Sequence, residues 1–105
     1  MLRSLMSERR QTPRIPVRLL VQHKTQGDES VEVDYASDLS TGGIFIRTAR
    51  PAAPNATIHV QFSPDRSSQM VEAFCRVARV TPEGMAAAFV HIDTASQAAL
   101  TTALR

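Results

Sequence analysis

At 105 residues the chain has the length of one domain with a modest core. Its composition, 43% hydrophobic and 21% charged, is that of an ordinary globular protein, and its net charge of +2 is not extreme. No apolar run is long enough to cross a membrane, and a single cysteine, Cys75, excludes an internal disulfide.

Met1-Leu2-Arg3-Ser4-Leu5-Met6 contains no apolar stretch of secretory length, so the expectation is a cytoplasmic protein with no membrane partner. The charge is unevenly spread. Residues 1–24 carry Arg3, Arg9, Arg10, Arg14, Arg18 and Lys24 against Glu8, a net +5 that leaves −3 for the remainder. A basic end of this kind suits an anion-binding arm.

Residues 1–7 show no sustained pattern and read as a tail; residues 8–15 are basic, and Pro13 and Pro16 favour an extended arm over a helix. From Val17 the apolar residues Val17, Leu19 and Val21 alternate with Arg18 and Gln22, a strand signal that Leu20 interrupts. After the polar loop Lys24–Glu29, Val31, Val33 and Tyr35 alternate with Glu32 and Asp34 in a second strand. Ile44-Phe45-Ile46 begins a third, and Pro51 and Pro54 make Ala49–Asn55 a loop. Ile58, Val60 and Phe62 mark a fourth strand, and Val71, Ala73, Cys75 and Val77 share one face of a long fifth. After Pro82-Glu83-Gly84, Met85–Ile92 forms a sixth.

The period then changes. Thr94-Ala95-Ser96-Gln97 fits a capping box with Thr94 as N-cap. Leu100 and Leu104, four apart, share a helix face that can cover a barrel end. Six closely spaced strands without intervening helices predict an all-β fold, an antiparallel barrel or sandwich over residues 16–92, with a short C-terminal α-helix over residues 94–104.

The stretch Asp38-Leu39-Ser40-Thr41-Gly42-Gly43 reads D-x-S-x-x-G. Asp38 and Ser40 point the same way on an extended backbone. The paired glycines permit a positive φ and leave no side chain in the way of a ligand. Upstream, Arg10 and Arg14 form R-x-x-x-R. The two motifs in this order, in a chain of this size, resemble the PilZ domain family, from about Glu8 to the end.

The resemblance implies a six-stranded antiparallel barrel followed by a helix, a single domain over residues 8–105, and binding of the second messenger cyclic di-GMP. The family's binding residues fall on Arg10, Arg14, Asp38, Ser40 and Gly43, with Arg9 as a further contact. Guanidinium forks onto phosphate oxygens, pairs with guanine O6 and N7 and stacks on bases. A carboxylate suits the ring N–H and amino group of guanine. A one-domain chain carries no effector module, so the implied role is a receptor or adaptor that signals to a protein partner, in motility, surface or biofilm regulation. A nucleotide-independent interaction module, as in PilZ-like domains of type IV pili and motility, is the alternative.

Other chemistry has little support in the sequence. His23, His59 and His91 have no metal-ligand spacing and read as surface or half-buried histidines, no motif places a base beside Ser40, and Cys75 lies on an apolar strand face. The expectation is no enzyme, no metal and no cofactor. Nucleic-acid binding would use the arginine arm and aromatic platforms. Phe62, Phe74 and Phe89 read as core, however, and Phe45, the one platform candidate, also reads as core before platform.

Overall fold

A computed structural model describes residues 14–65 and 69–104. Its strands are β1 (Ile15–Thr25), β2 (Glu32–Leu39), β3 (Gly43–Arg47), β4 (Thr57–Phe62), β5 (Val71–Thr81) and β6 (Gly84–Ile92), followed by α1 (Thr94–Ala103). They close into a barrel in the order β1-β2-β3-β6-β5-β4, with β4 returning to β1 and every neighbouring pair antiparallel. The predicted barrel with a short C-terminal helix is the fold observed. Among the described residues no helix is long and apolar enough to cross a membrane.

Strand alternation builds the core. Val71, Ala73, Cys75 and Val77 point inward from β5 and meet Ile58, Val60 and Phe62 of β4, Ile44 and Ile46 of β3, and Met85 and Ala87 of β6. Closure gives every strand two neighbours, although β1 meets β4 only through Gln22–Thr25, so its first half is paired with β2 alone. The β3–β6 seam depends on small residues. At Gly84 a Cβ would lie 2.0 Å from the Ile46 carbonyl oxygen, and its φ of +154° completes the tight β5–β6 turn.

Three expectations are corrected. The helix is capped by Asp93 and not by Thr94: the Asp93 carboxylate accepts the Ser96 amide proton at 2.7 Å. The Ser96 hydroxyl is turned back to accept the Glu72 amide at 3.0 Å, fastening α1 to β5. Asp93 wins because a carboxylate at the end of an extended strand reaches the first-turn amides and favours the helix N-terminus. Leu100 is fully buried and Leu104 packs against the core, so their shared face does cover apolar surface.

The second correction concerns Phe74, which is 44% exposed on the outer face of β5 between His59 and His91, its ring centroid 4.9 Å from that of His59. Its parity is opposite to that of Cys75, and parity decides burial on a strand. The third concerns His23, which is not a surface or half-buried histidine. It is 3% exposed, and its Nε2 lies 2.8 Å from the Asp34 carboxylate. In β2 the carboxylate side is thus the inward one, while Val33 and Tyr35 face out, with the Arg18 guanidinium 4.4 Å above the Tyr35 ring.

Burial pushes the Cys75 thiol up from 9.0 to about 12. The thiolate is the reactive species, so Ellman's reagent at pH 8 should label the native protein on the order of a hundredfold or more slower than the urea-unfolded chain. A raised folded-state pKa also means stability is lost as pH rises from about 9 toward about 12, where the unfolded thiol ionises and the buried one does not. Equal labelling rates would show that β5 does not bury this residue.

Candidate functional site

Asp38 ends an irregular stretch of β2. The register slips between Ala36 and Asp38, so Ala36 and Leu39 both point into the core while Asp38 faces outward, half-buried, opposite Phe45 of β3 and Pro16 of β1. A bulge of this kind re-aims a side chain without breaking the sheet. Among the described residues the Asp38 carboxylate has no ion-pair partner.

Ser40 is used by the turn itself. It is 7% exposed, and its hydroxyl oxygen accepts the amide protons of Gly42 and Gly43, each at 3.1 Å. Its own amide donates to the Gly43 carbonyl at 3.0 Å. A short hydroxyl bonding the backbone two and three residues ahead forms the turn in place of a backbone bond. The sequence reading assigned Ser40 to the ligand, but in the structure its hydrogen bonds hold the loop between β2 and β3.

Gly43 serves packing. It does not adopt a positive φ, and a Cβ there would lie 2.5 Å from the Ala87 carbonyl oxygen of β6. Beside it, the Phe89 amide donates to the Gly42 carbonyl at 3.0 Å, tying the loop to β6. The wall is open at this point because two backbones approach closely.

Arg14 immediately precedes β1, whose first rung pairs Ile15 with Leu39 and whose second pairs Pro16 with Asp38. Arg14 and Ser40 therefore leave the ladder at the same end, and Arg14 is exposed beside the turn that carries Asp38 and Gly43. Arg9 and Arg10 lie outside the described residues, so the structure gives the arm through Arg14 alone.

Phe45 was missed as part of this surface. It is only 9% exposed, yet it and Ala86 stand outside the contiguous core cluster. Both are on the outer face, paired with each other across the β3–β6 seam and flanked by Asp38. Its parity relative to Ile44 and Ile46 is the signal that could have found it. Among the described residues no group of histidine, cysteine and carboxylate side chains is arranged to hold a metal ion.

A closed six-stranded antiparallel barrel with a helix docked on β5, and an aspartate–serine–glycine turn beside the start of its first strand, defines a small class of barrel domains. The PilZ domain family model matches residues 8–105, and the chain belongs to that family. No curated protein matches it in sequence. Among solved structures it is similar to the Bacillus subtilis inhibitor of motility MotI/DgrA, with a TM-score of 0.74 and 21% identity, over 92% of this chain and 50% of that one. The chain thus spans half the length of that protein. It is also similar to the PilZ domain of CeSA from a cellulose-synthesizing bacterium, with a TM-score of 0.69 and 14% identity, over 85% of this chain and 91% of that one.

Removing the Ser40 hydroxyl leaves the Gly42 and Gly43 amides without their acceptor. Ser40→Ala should cost about 1–2 kcal/mol of stability. Gly43→Ala forces β3 and β6 apart and should cost about 1–3 kcal/mol. Urea unfolding followed by far-ultraviolet circular dichroism measures both, and an unchanged midpoint in either variant would show that the turn does not carry these contacts.

Proposed function

We propose that this chain is a receptor or adaptor domain that binds cyclic di-GMP and passes the signal to a protein partner. Its site would comprise Arg9, Arg10 and Arg14 of the arm with Asp38, Ser40 and Gly43. Family membership supports the ligand class. The observation that carries the reading is an outward Asp38 carboxylate, without an ion-pair partner among the described residues, held by a hydrogen-bonded turn at the end of the barrel where Arg14 enters β1.

In this reading the roles divide. The arginines fork onto phosphate oxygens or the O6/N7 edge of guanine. Asp38 accepts the guanine ring N–H and amino group, donors that adenine does not present in the same arrangement. Ser40 fixes the turn that aims Asp38, and Gly43 keeps the surface open. No covalent step is involved, so the domain is a binder and not a catalyst.

MotI/DgrA is an inhibitor of motility, and the fold shared with it supports motility control as the pathway for this chain. The exposed apolar residues Leu20, Val31, Val33 and Tyr35 of the β1–β2 hairpin favour a second reading, a nucleotide-independent protein-interaction module. Isothermal titration with cyclic di-GMP separates the two. The wild-type protein should bind saturably, and the Arg10→Ala/Arg14→Ala variant should lose at least about a hundredfold in affinity, since each charged hydrogen bond contributes roughly 1.5–3 kcal/mol. A folded wild-type protein that shows no binding heat would leave the interaction module standing.

Asp38→Asn keeps the shape of the side chain and exchanges one acceptor oxygen for a donor. It should narrow the preference for cyclic di-GMP over cyclic di-AMP by about tenfold, measured by competition. An unchanged preference would remove Asp38 from base recognition.

A further inference from the structure

The outer face beyond Gly43 and Phe45 has a second cationic side. Across β3, β6 and β5, Gly43 pairs with Ala88 and Ala88 with Arg76; Phe45 pairs with Ala86 and Ala86 with Arg79. The second of these rungs continues the other way through Asp38 to Pro16. A register shift between Val77 and Arg79 keeps both arginines outward while Cys75 and Val77 stay in the core. Both are exposed, and among the described residues neither has an ion-pair or hydrogen-bond partner.

Strands lie about 4.8 Å apart, which puts Arg76 about 10 Å from Gly43 and Arg79 about 14 Å from Asp38 along the sheet. Ala88 alone stands between Arg76 and Gly43, and Ala86 and Phe45 stand between Arg79 and Asp38, so Phe45 is the one long side chain on these rungs. An arginine side chain spans several ångströms, long enough to carry its guanidinium over the neighbouring alanine. Two guanidiniums without counter-ions among the described residues, on the same rungs as Asp38 and Gly43, fit a ligand that is anionic and extends past the turn.

From this geometry we infer that Arg76 and Arg79 form the far wall of the site and hold the half of the cyclic dinucleotide that projects beyond Gly43. The inference rests on the cyclic di-GMP reading and deepens it. Arg14 and Asp38 grip one side of the ligand, and the two β5 arginines grip its outlying phosphate and guanine acceptors. The β5 strand is fixed in the barrel, so this wall is in position before the ligand arrives.

The test is calorimetric titration of four proteins with cyclic di-GMP: the wild type, Arg76→Ala/Arg79→Ala, Arg76→Lys/Arg79→Lys, and the control Lys24→Ala/Arg50→Ala. The control removes the same charge at the other end of the barrel, where β1 ends and Arg50 pairs with Glu32 at 3.6 Å. All substituted residues are exposed, and circular dichroism verifies the fold. The alanine pair should weaken binding at least about tenfold, the lysine pair by less, and the control by no more than about twofold. Wild-type binding with equal affinities in the β5 alanine pair and the control overturns the far wall and leaves the messenger reading intact. A wild type that does not bind overturns both.

Discussion

The barrel closes only because β3 and β6 can come close together. Along that seam the pairs are Gly43 with Ala88, Ile44 with Ala87, Phe45 with Ala86, Ile46 with Met85 and Arg47 with Gly84. Each rung has glycine, alanine or the flexible Met85 on at least one side, and at both ends a Cβ on the glycine would run into a carbonyl oxygen of the facing strand. Close backbone approach lets Ile44, Ile46, Met85 and Ala87 fill the interior without voids, and dense packing makes such a seam intolerant of added atoms. The same constraint shapes the outer surface. Because β6 carries only Ala86 and Ala88 outward beside Gly43 and Phe45, the outside of the seam is low except at the Phe45 ring.

The interior of the opposite end is polar. His23 at the end of β1 and Asp34 near the start of β2 face inward and bond to each other. A buried imidazole must find a partner, since an unsatisfied polar group inside a small barrel costs more than the pairing returns. The acceptor it uses is Asp34, two residues along β2 from its ladder partner Glu32, and that pairing fixes the phase of β2. With Asp34 pointing in, Val33 and Tyr35 must point out, and Arg18 then covers the Tyr35 ring. One polar pair therefore leaves the β1–β2 hairpin with an apolar outer surface, the opposite of what hydrophobic alternation alone would predict.

That inversion explains which parts of the fold were legible in the sequence. The strands were, because alternation fixes period and prolines and glycines fix the breaks. Val71 to Val77 and Ile58 to Phe62 also have the expected phase, because their polar neighbours face solvent. The phase of β2 was not, because a period of two leaves open which of two faces is inward until a cross-strand partner such as His23 is known. Phe74 failed for a related reason: it shares a run with Cys75 but has the opposite parity. The helix N-cap shifted by one residue because Asp93 and Thr94 are both good caps and only the end of β6 decides between them. In the candidate site, the D-x-S-x-x-G residues were legible as a turn with an exposed carboxylate. That the Ser40 hydroxyl is taken up by two amides, and that Arg76 and Arg79 share rungs with Gly43 and Asp38, depends on three-dimensional pairing that no local pattern encodes.

The charges on this surface also orient the proposed ligand. Two unit charges about 4 Å apart near a protein surface interact by about 4 kcal/mol. An Asp38 carboxylate without an ion-pair partner among the described residues would therefore repel either phosphate strongly, and it attracts the N–H edge of a guanine instead. The phosphates must then lie away from Asp38, and among the described residues the face offers cations in two directions: Arg14 beside β1, and Arg76 and Arg79 across β6. A ligand with a base at the centre and negative charge on both flanks satisfies all of these groups together. A linear polyanion would have to pass its backbone over the carboxylate. The position of a single acidic side chain on an otherwise cationic face thus favours a compact cyclic dinucleotide over a nucleic-acid strand.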